Sequence, residues 1–269
     1  MLSDAQIERY SRQIILPQVG GKGQEKILRS RVLVHTDGLL EAAALLYLAA
    51  AGVGTIGVVR SQSVPSVTPG TARTLFPALD EDANESDQDE QDGQDMQIKT
   101  LGRLNPDCTI ITHTGGDDEK ADLQPERLVE HYDLVLGATA VLHDACYVAR
   151  KPFIWAHVVA RHADQQAYLL VCRGDKPDWP CLRCLSSDSP VSDLLYGAPA
   201  WGAESTDAVA ALFMGAQQTT EALKLIVAAD EETVPKLLQC TFPAFHFTEH
   251  GVEKDALCSL CRPGLTRLC

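Results

Sequence analysis

The chain is poor in three things, and each absence removes a class of function. It lacks a run of about 18 apolar residues free of polar groups, so no membrane-spanning helix is expected. The nearest candidate, Leu39 to Ala51, is too short and carries Glu41. It lacks a basic start followed by an apolar stretch: "MLSDAQIERYSRQ" does not read as a signal peptide, and a cytoplasmic location is expected. It also lacks positive charge. Twenty-three lysines and arginines face 37 aspartates and glutamates, a formal net charge of −14. Phosphate backbones need a basic surface, so nucleic acid is not an expected partner.

What remains is ordinary globular material: 269 residues, 45% hydrophobic and 22% charged. This length suits one large α/β domain or two smaller ones. Nine of the acidic residues crowd into Asp80 to Asp95, "DEDANESDQDEQDGQD", with no basic residue among them. Like charges at that density repel and cannot bury apolar surface, which points to a solvated insertion rather than an acidic docking strip.

Strand-like and helical segments alternate. "RVLVH" reads as a strand and leads into a helix ending at Ala51; "TIGVVR" (Thr55 to Arg60) is a second strand. A helical "MQIKTLGRL" precedes the strand "CTIITH", and "QPERLVEHY" precedes the strand "DLVLGAT". A short helix, the strands "PFIWAHVV" and "QAYLLVC", and a long helix from about Asp207 to Val227 follow. Two helices, around Ala5 to Arg12 and Gly23 to Arg29, come before the first strand. Apolar strands separated by helices predict an α/β, doubly wound and mostly parallel sheet covered on both faces. The expected organisation is an N-terminal helical arm (1–30), a Rossmann-like region (31–175) with the acidic loop 80–95, and a C-terminal crossover, long helix and knuckle region (176–269).

Four of the nine cysteines are paired by spacing: Cys181 and Cys184 in "CLRC", Cys258 and Cys261 in "CSLC". Each C-x-x-C knuckle turns two thiolates toward one ion, and two knuckles close a tetrahedral site with no open position. A structural zinc is therefore expected, with redox pairs or idle thiols as the competing reading.

"GVGTIG", Gly52 to Gly57, matches the G-x-G-x-x-G dinucleotide pattern letter for letter. The pattern has meaning only where it follows a strand and opens a helix. Here it ends a helix and opens a strand, so Gly52 and Gly54 read as cap and turn glycines.

Taken in order, "RYSRQIILPQVGGKGQEKILRSRVLV", "YLAAAGVGTIGVV", "RLNPDCTI", "YDLVLGAT", "PCLRC", "EALKL" and "CSLC" resemble the ThiF/MoeB/HesA family, which is related to the ubiquitin-activating enzymes. The resemblance spans nearly the whole chain. It implies a doubly wound fold with a structural zinc, MgATP as cofactor, and adenylation of the C-terminal glycine of a ubiquitin-like sulfur carrier.

The positions that serve ATP in that family depart from its pattern. Its G-x-G-G-x-G loop falls on Thr36, Gly38, Leu39 and Glu41, and only Gly38 is glycine. Glycines matter there because phosphates approach the backbone where a Cβ would collide. Leu39 adds bulk, and Glu41 brings negative charge to the helix end where a phosphate would sit. The acidic residue that holds the ribose is replaced by Arg60, with Gln62 after it. Thr68, Pro69 and Thr71 stand where the family has phosphate-contacting Asn, Arg and Gln, and Arg73 is out of register. Lys99 is the one lysine near the expected catalytic position, in a context that does not match. Ala140 replaces the magnesium-binding Asp, and no cysteine lies between Cys184 and Cys240 to act as nucleophile. Arg12 does match the family arginine that reaches across a dimer into the neighbour's ATP site; its competing reading is a packing or surface-pairing residue.

Three functions follow. The first is a catalytically degenerate subunit or scaffold that has lost its own MgATP site and works as a homodimer, as a heterodimer with an active family member, or as a binder of a ubiquitin-like carrier. The second is an active adenylyltransferase with a rebuilt ATP site. The third, least supported, is a nicotinamide- or flavin-dependent oxidoreductase resting on the misplaced "GVGTIG".

Overall fold

A computed structural model describes residues 1–36, 38–60, 100–113, 124–161, 164–185, 208–227 and 234–262. Helices α1 (Asp4–Ile14) and α2 (Gly20–Arg29) precede strand β1 (Arg31–Thr36). Next come α3 (Leu39–Ala51), β2 (Thr55–Arg60), β3 (Thr109–His113), α4 (Pro125–Glu130), β4 (Leu134–Gly137), α5 (Ala140–Val148), β5 (Pro152–Arg161) and β6 (Asp164–Arg173). A 3-10 turn (Leu182–Cys184), α6 (Ala208–Val227), β7 (Lys236–Phe242) and β8 (His246–Gly251) follow, and residues 100–104, before β3, are helical as well.

The eight strands form one sheet in the order β3-β2-β1-β4-β5-β6-β7-β8. β3, β2, β1, β4 and β5 run parallel, as the alternating pattern predicts. From β5 onward every pairing is antiparallel, so the sheet is mixed. Strands β7 and β8 were not foreseen. β8 alternates between exposed and half-buried positions, and an edge strand with little to bury carries a weak hydrophobic signal.

Two cores lie on the two faces. One packs α3 and α6, with Ile27 of α2, against Val32, Val34, Ile56, Leu136 and Ile154. The other packs α4, α5 and the 3-10 turn against Leu33, Val135, Phe153 and Trp155. Helix α3 is apolar nearly all round because both its sides are covered, as expected of a helix inside a large domain. Its alanines let α6 come close: a Cβ on Gly215 would lie 2.3 Å from the Leu40 carbonyl oxygen.

The sequence motifs of the N-terminal arm meet a distant one. Tyr10, 1% exposed, donates its hydroxyl to Asp107 (2.9 Å), while Asn105 donates to the same hydroxyl (2.9 Å) and to the Ala49 carbonyl (2.7 Å). Helix α1 starts in a capping box between Ser3 and Gln6, and Gln6 also reaches Asp107. These bonds fix "RYSRQ" on "RLNPD" and so set where Arg12 stands. Burial pushes the Tyr10 hydroxyl up to about 12, which keeps it a donor.

Candidate functional site

In an open α/β sheet, ligands bind outside the carboxyl ends of the strands where the strand order reverses. Here the reversal lies between β1 and β4: from β1 the chain moves to β2 and β3 on one side, and β4 and β5 lie on the other. The carboxyl ends of β1 and β4 lead into Gly38 and α3 and into Ala140 and α5. Register pairs Thr36 with Arg60, so the end of β2 borders the same crevice. The fold thus brings Thr36, Gly38, Leu39, Glu41, Arg60 and Ala140 to one edge of the sheet. Gln62, Thr68, Pro69, Thr71, Arg73, Lys99 and the acidic stretch 80–95 lie outside the described residues.

The start of α3 has an unusual charge arrangement. Gly38 is the N-cap and offers no side-chain acceptor to the first free amides of the helix. Glu41, in the first turn, is only 4% exposed. Its Oε2 lies 4.0 Å from where a Cβ on Gly38 would stand. A helix N-terminus favours negative charge, and here the first turn carries an acidic side chain of its own. A phosphate brought to this turn would meet that carboxylate at close range, and at such range two negative charges oppose binding. Leu39 is half-buried and packs on the core of its face. Ala140 opens α5 without a carboxylate, and the α5 N-cap, Thr139, makes no side-chain cap bond. Among the described residues of the crevice, Gly38 is the one glycine of the β1–α3 turn and Ala140 brings no oxygen for a metal.

Arg12 lies exposed in the last turn of α1, and among the described residues its side chain makes no hydrogen bond or ion pair. An open groove of about 380 Å³, lined in part by Lys22, Lys26, Arg29 and Asp133, lies at the amino ends of β1 and β4. It is on the opposite edge from the crevice.

The second site is the cysteine cluster. Cys181, Cys184, Cys258 and Cys261 are all buried, with their ligand atoms within 4.8 Å of one another. The Sγ separations are 3.8 Å for Cys181–Cys184, 3.5 Å for Cys181–Cys258 and 3.2 Å for Cys184–Cys261. Four thiolates at the corners of a zinc tetrahedron stand about 3.8 Å apart, so the donor set and its spacing fit zinc. Without a cation the four cannot all ionise. The hydrogen bond from the Cys181 thiol holds Cys184 down, and the same contact pushes Cys181 up, while burial raises Cys261. A divalent ion would offset the remaining charge and drive the other thiols to deprotonate.

The knuckles are carried by different ends of the chain. The first follows β6 through a turn in which Arg173 is paired with Asp175 (2.6 Å) and lies over Trp179. The second follows β8 and is tied to the first turn by Lys254, which donates to the Pro177 carbonyl. Sequence reasoning missed His143 and Asp144, on α5 beside this cluster. His143 is 1% exposed and accepts from the Leu182 amide, and Asp144 pairs with Arg183. Burial opposes the Asp144 charge, but the bonds from His143 and Arg183 outweigh it and hold the carboxyl below its usual range.

"GVGTIG" has structural work in place of a cofactor. Gly52 caps α3 in the left-handed region (φ +90°), with the Tyr10 ring where a Cβ would go. A Cβ on Gly54 would stand 1.9 Å from the Leu28 carbonyl oxygen, and one on Gly57 would meet the Tyr132 hydroxyl at 2.1 Å. Gly54 is needed for close approach rather than for a turn angle.

Comparison with known proteins agrees with this fold. The model described as "ThiF family" matches residues 10–64 and 94–260. The adenylyltransferase and sulfurtransferase uba4 of Aspergillus terreus is 30% identical over 248 residues, covering 88% of this chain and 48% of that protein. The molybdopterin-synthase adenylyltransferase of Salmonella typhimurium is 30% identical over 268 residues, covering 97% of this chain and 98% of that protein. The chain spans about half the length of the uba4 relatives it matches. Among solved structures, E. coli MccB crystallised with ATP superposes with a TM-score of 0.66 at 16% identity, over 94% of this chain and 74% of that one. PaaA gives 0.65 at 18%, over 94% and 76%. At these identities the two structures speak for the fold alone. Among the described residues, no helix is long and apolar enough to cross a membrane.

Proposed function

Because this chain belongs to the ThiF family, we infer that it is a catalytically degenerate member: a subunit or scaffold that keeps the fold and the metal site but does not hold MgATP itself. The observation that carries this reading is Glu41. Its buried carboxylate stands at the helix end that would otherwise receive phosphate. Ala140 supports it, because the position opening α5 has no oxygen for magnesium. Cys181, Cys184, Cys258 and Cys261 are assigned as the zinc ligands, in a closed structural site that ties the chain after β8 to the crossover after β6. The arm 1–30, the region 31–175 and the region 176–269 are kept as the working division of the chain.

The partner class follows from the family. A degenerate subunit acts by pairing with an active family member, or with a second copy, or by holding a ubiquitin-like sulfur carrier without activating it. Arg12, exposed at the end of α1 and unpaired among the described residues, is the group offered to a partner's nucleotide. An arginine can grip a triphosphate with two parallel hydrogen bonds and offset charge that develops in another subunit.

A second reading has its own support. The Salmonella relative, named an adenylyltransferase, aligns over almost its whole length. If the chain shares that activity, it adenylates the C-terminal glycine of a carrier with an ATP site built differently at Gly38 and Glu41. ATP–pyrophosphate exchange by the purified chain, with candidate carriers present, separates the two. The degenerate reading expects no exchange above background and no heat on titration with MgATP; robust exchange by the chain alone overturns it.

A further inference from the structure

The first knuckle is held from outside by one helix. Between Cys181 and Cys184 lie two residues, and α5 grips both. The Leu182 amide donates to His143 Nε2 at 3.0 Å. Arg183 donates through Nε to both Asp144 oxygens at 2.8 Å, and through Nη2 to Oδ2 at 2.5 Å. The two α5 residues also bond each other, His143 Nδ1 to Asp144 Oδ1 at 3.1 Å. Donor logic fixes the imidazole tautomer. An amide can only donate, so Nε2 is bare; the ring proton is then on Nδ1 and is donated to Asp144. Each strong polar group in the set has its complement.

The support behind this grip is rigid. Leu142, Ala145 and Cys146 of α5 are buried against the sheet, and Phe153 of β5 meets the His143 ring edge-on at 5.6 Å between centroids. The second knuckle has a different footing. Its turn rests on local bonds, from the Leu257 amide to Asp255 and from the Cys258 amide to the Asp255 carbonyl. One half of the cluster is thus built on the core and the other on a surface turn.

We propose that His143 and Asp144 are positioning residues that hold Cys181 and Cys184 at metal-binding spacing before the ion arrives, and so set how long the metal stays. The inference rests on the zinc assignment above. Ligands that are pre-placed lose less freedom on binding, and groups behind the ligands typically change metal affinity by about 10- to 100-fold when removed. The preformed first knuckle receives the ion, and Cys258 and Cys261 close on it.

The test is the rate at which a chromogenic chelator removes zinc from the intact, metal-loaded chain, with the absorption of the cobalt-substituted protein as a second readout. Asp144→Asn should speed zinc release by roughly 10-fold or more, while one metal still binds per chain and the cobalt spectrum keeps its tetrahedral thiolate bands. Arg183→Lys, at a half-exposed position, should act in the same direction and serves if the Asp144 variant fails to fold. The double variant Asp144→Asn/Arg183→Lys should be no worse than the worse single one, because the pair acts as a unit. Leu142→Ala loosens the same helix without touching the grip and should leave the release rate within about twofold of the parent, since its cost is a cavity in the core. Equal acceleration by Leu142→Ala, or parental rates in both Asp144→Asn and Arg183→Lys, overturns the clamp with the zinc assignment intact. A purified chain free of zinc overturns both.

Discussion

The carboxylate of Glu41 lies over the Gly38 turn, with Oε2 4.0 Å from the place of a Gly38 Cβ. The pair describes how a turn with one glycine passes into α3. Gly38 is followed by a helix with an acid in its first turn, and nothing else crowds the glycine. Gly38→Ala should therefore leave the fold essentially as stable as the parent. Glu41→Gln should lower unfolding stability by about 1 kcal/mol through loss of charge at the helix end. Urea titration of both variants checks the pair. A Gly38→Ala protein that unfolds early, or a Glu41→Gln protein more stable than the parent, would remove Glu41 from this role.

Arg12 separates a partner function from a packing one. It is exposed and unpaired among the described residues, so Arg12→Ala should change stability by no more than about 0.5 kcal/mol. In a mixture with an active family member that binds this chain, the same variant should slow the partner's ATP–pyrophosphate exchange at least about 10-fold, as expected when an arginine supplied in trans is lost. Exchange that is unchanged while the complex still forms would end the proposal for Arg12.

The misplaced glycine motif gives a steric prediction. Gly54→Ala forces a Cβ against the Leu28 carbonyl, which is backbone and cannot swing aside. A loss of about 2 kcal/mol or more in unfolding free energy is expected, at the upper end for overpacking. Gly52→Ala adds left-handed strain to a collision with the Tyr10 ring. Neither substitution should alter any nucleotide-dependent signal. A Gly54→Ala protein as stable as the parent would mean that the α2–β2 contact is looser than it stands here.

Legibility in the sequence followed the range of the contact. The parallel half of the sheet could be read because each strand is a short apolar run beside a helix of different period. The four-cysteine cluster could be read because a C-x-x-C pair places two thiols within one turn. The Tyr10–Asn105–Asp107 set could not, since its members are about 95 residues apart and each alone reads as a surface residue. His143 and Asp144 were missed for the same reason: the groups they hold, Leu182 and Arg183, lie 39 residues away. Glu41 was placed correctly near a helix end, but its burial depends on how α3 is covered, which no local pattern states.

A last prediction concerns proton linkage at the end of β3. His113 Nε2 stands 2.7 Å from the Tyr132 hydroxyl, and Tyr132 is itself 1% exposed beneath Gly57. Burial lowers the His113 pKa, with a further push from the charge of His131, and burial also raises the Tyr132 pKa. The phenol therefore donates and a neutral imidazole accepts. Protonating His113 would turn the acceptor into a second donor and break the bond. The unfolded chain takes up this proton near pH 6.5, before the folded one does, so it binds more protons in that window. Stability from this contact is complete above about pH 6.5 and is lost as pH falls toward the lowered folded-state value. Melting of the parent and of His113→Gln should be compared from pH 5 to 8. Titration of the cysteine cluster and of histidines that do not act on His113 is common to both proteins and cancels in the difference, so His131→Gln is made in both backgrounds. The parent's advantage should be greatest at the alkaline end and shrink below about pH 6.5; a difference that stays flat across the range would show that His113 carries no linked proton.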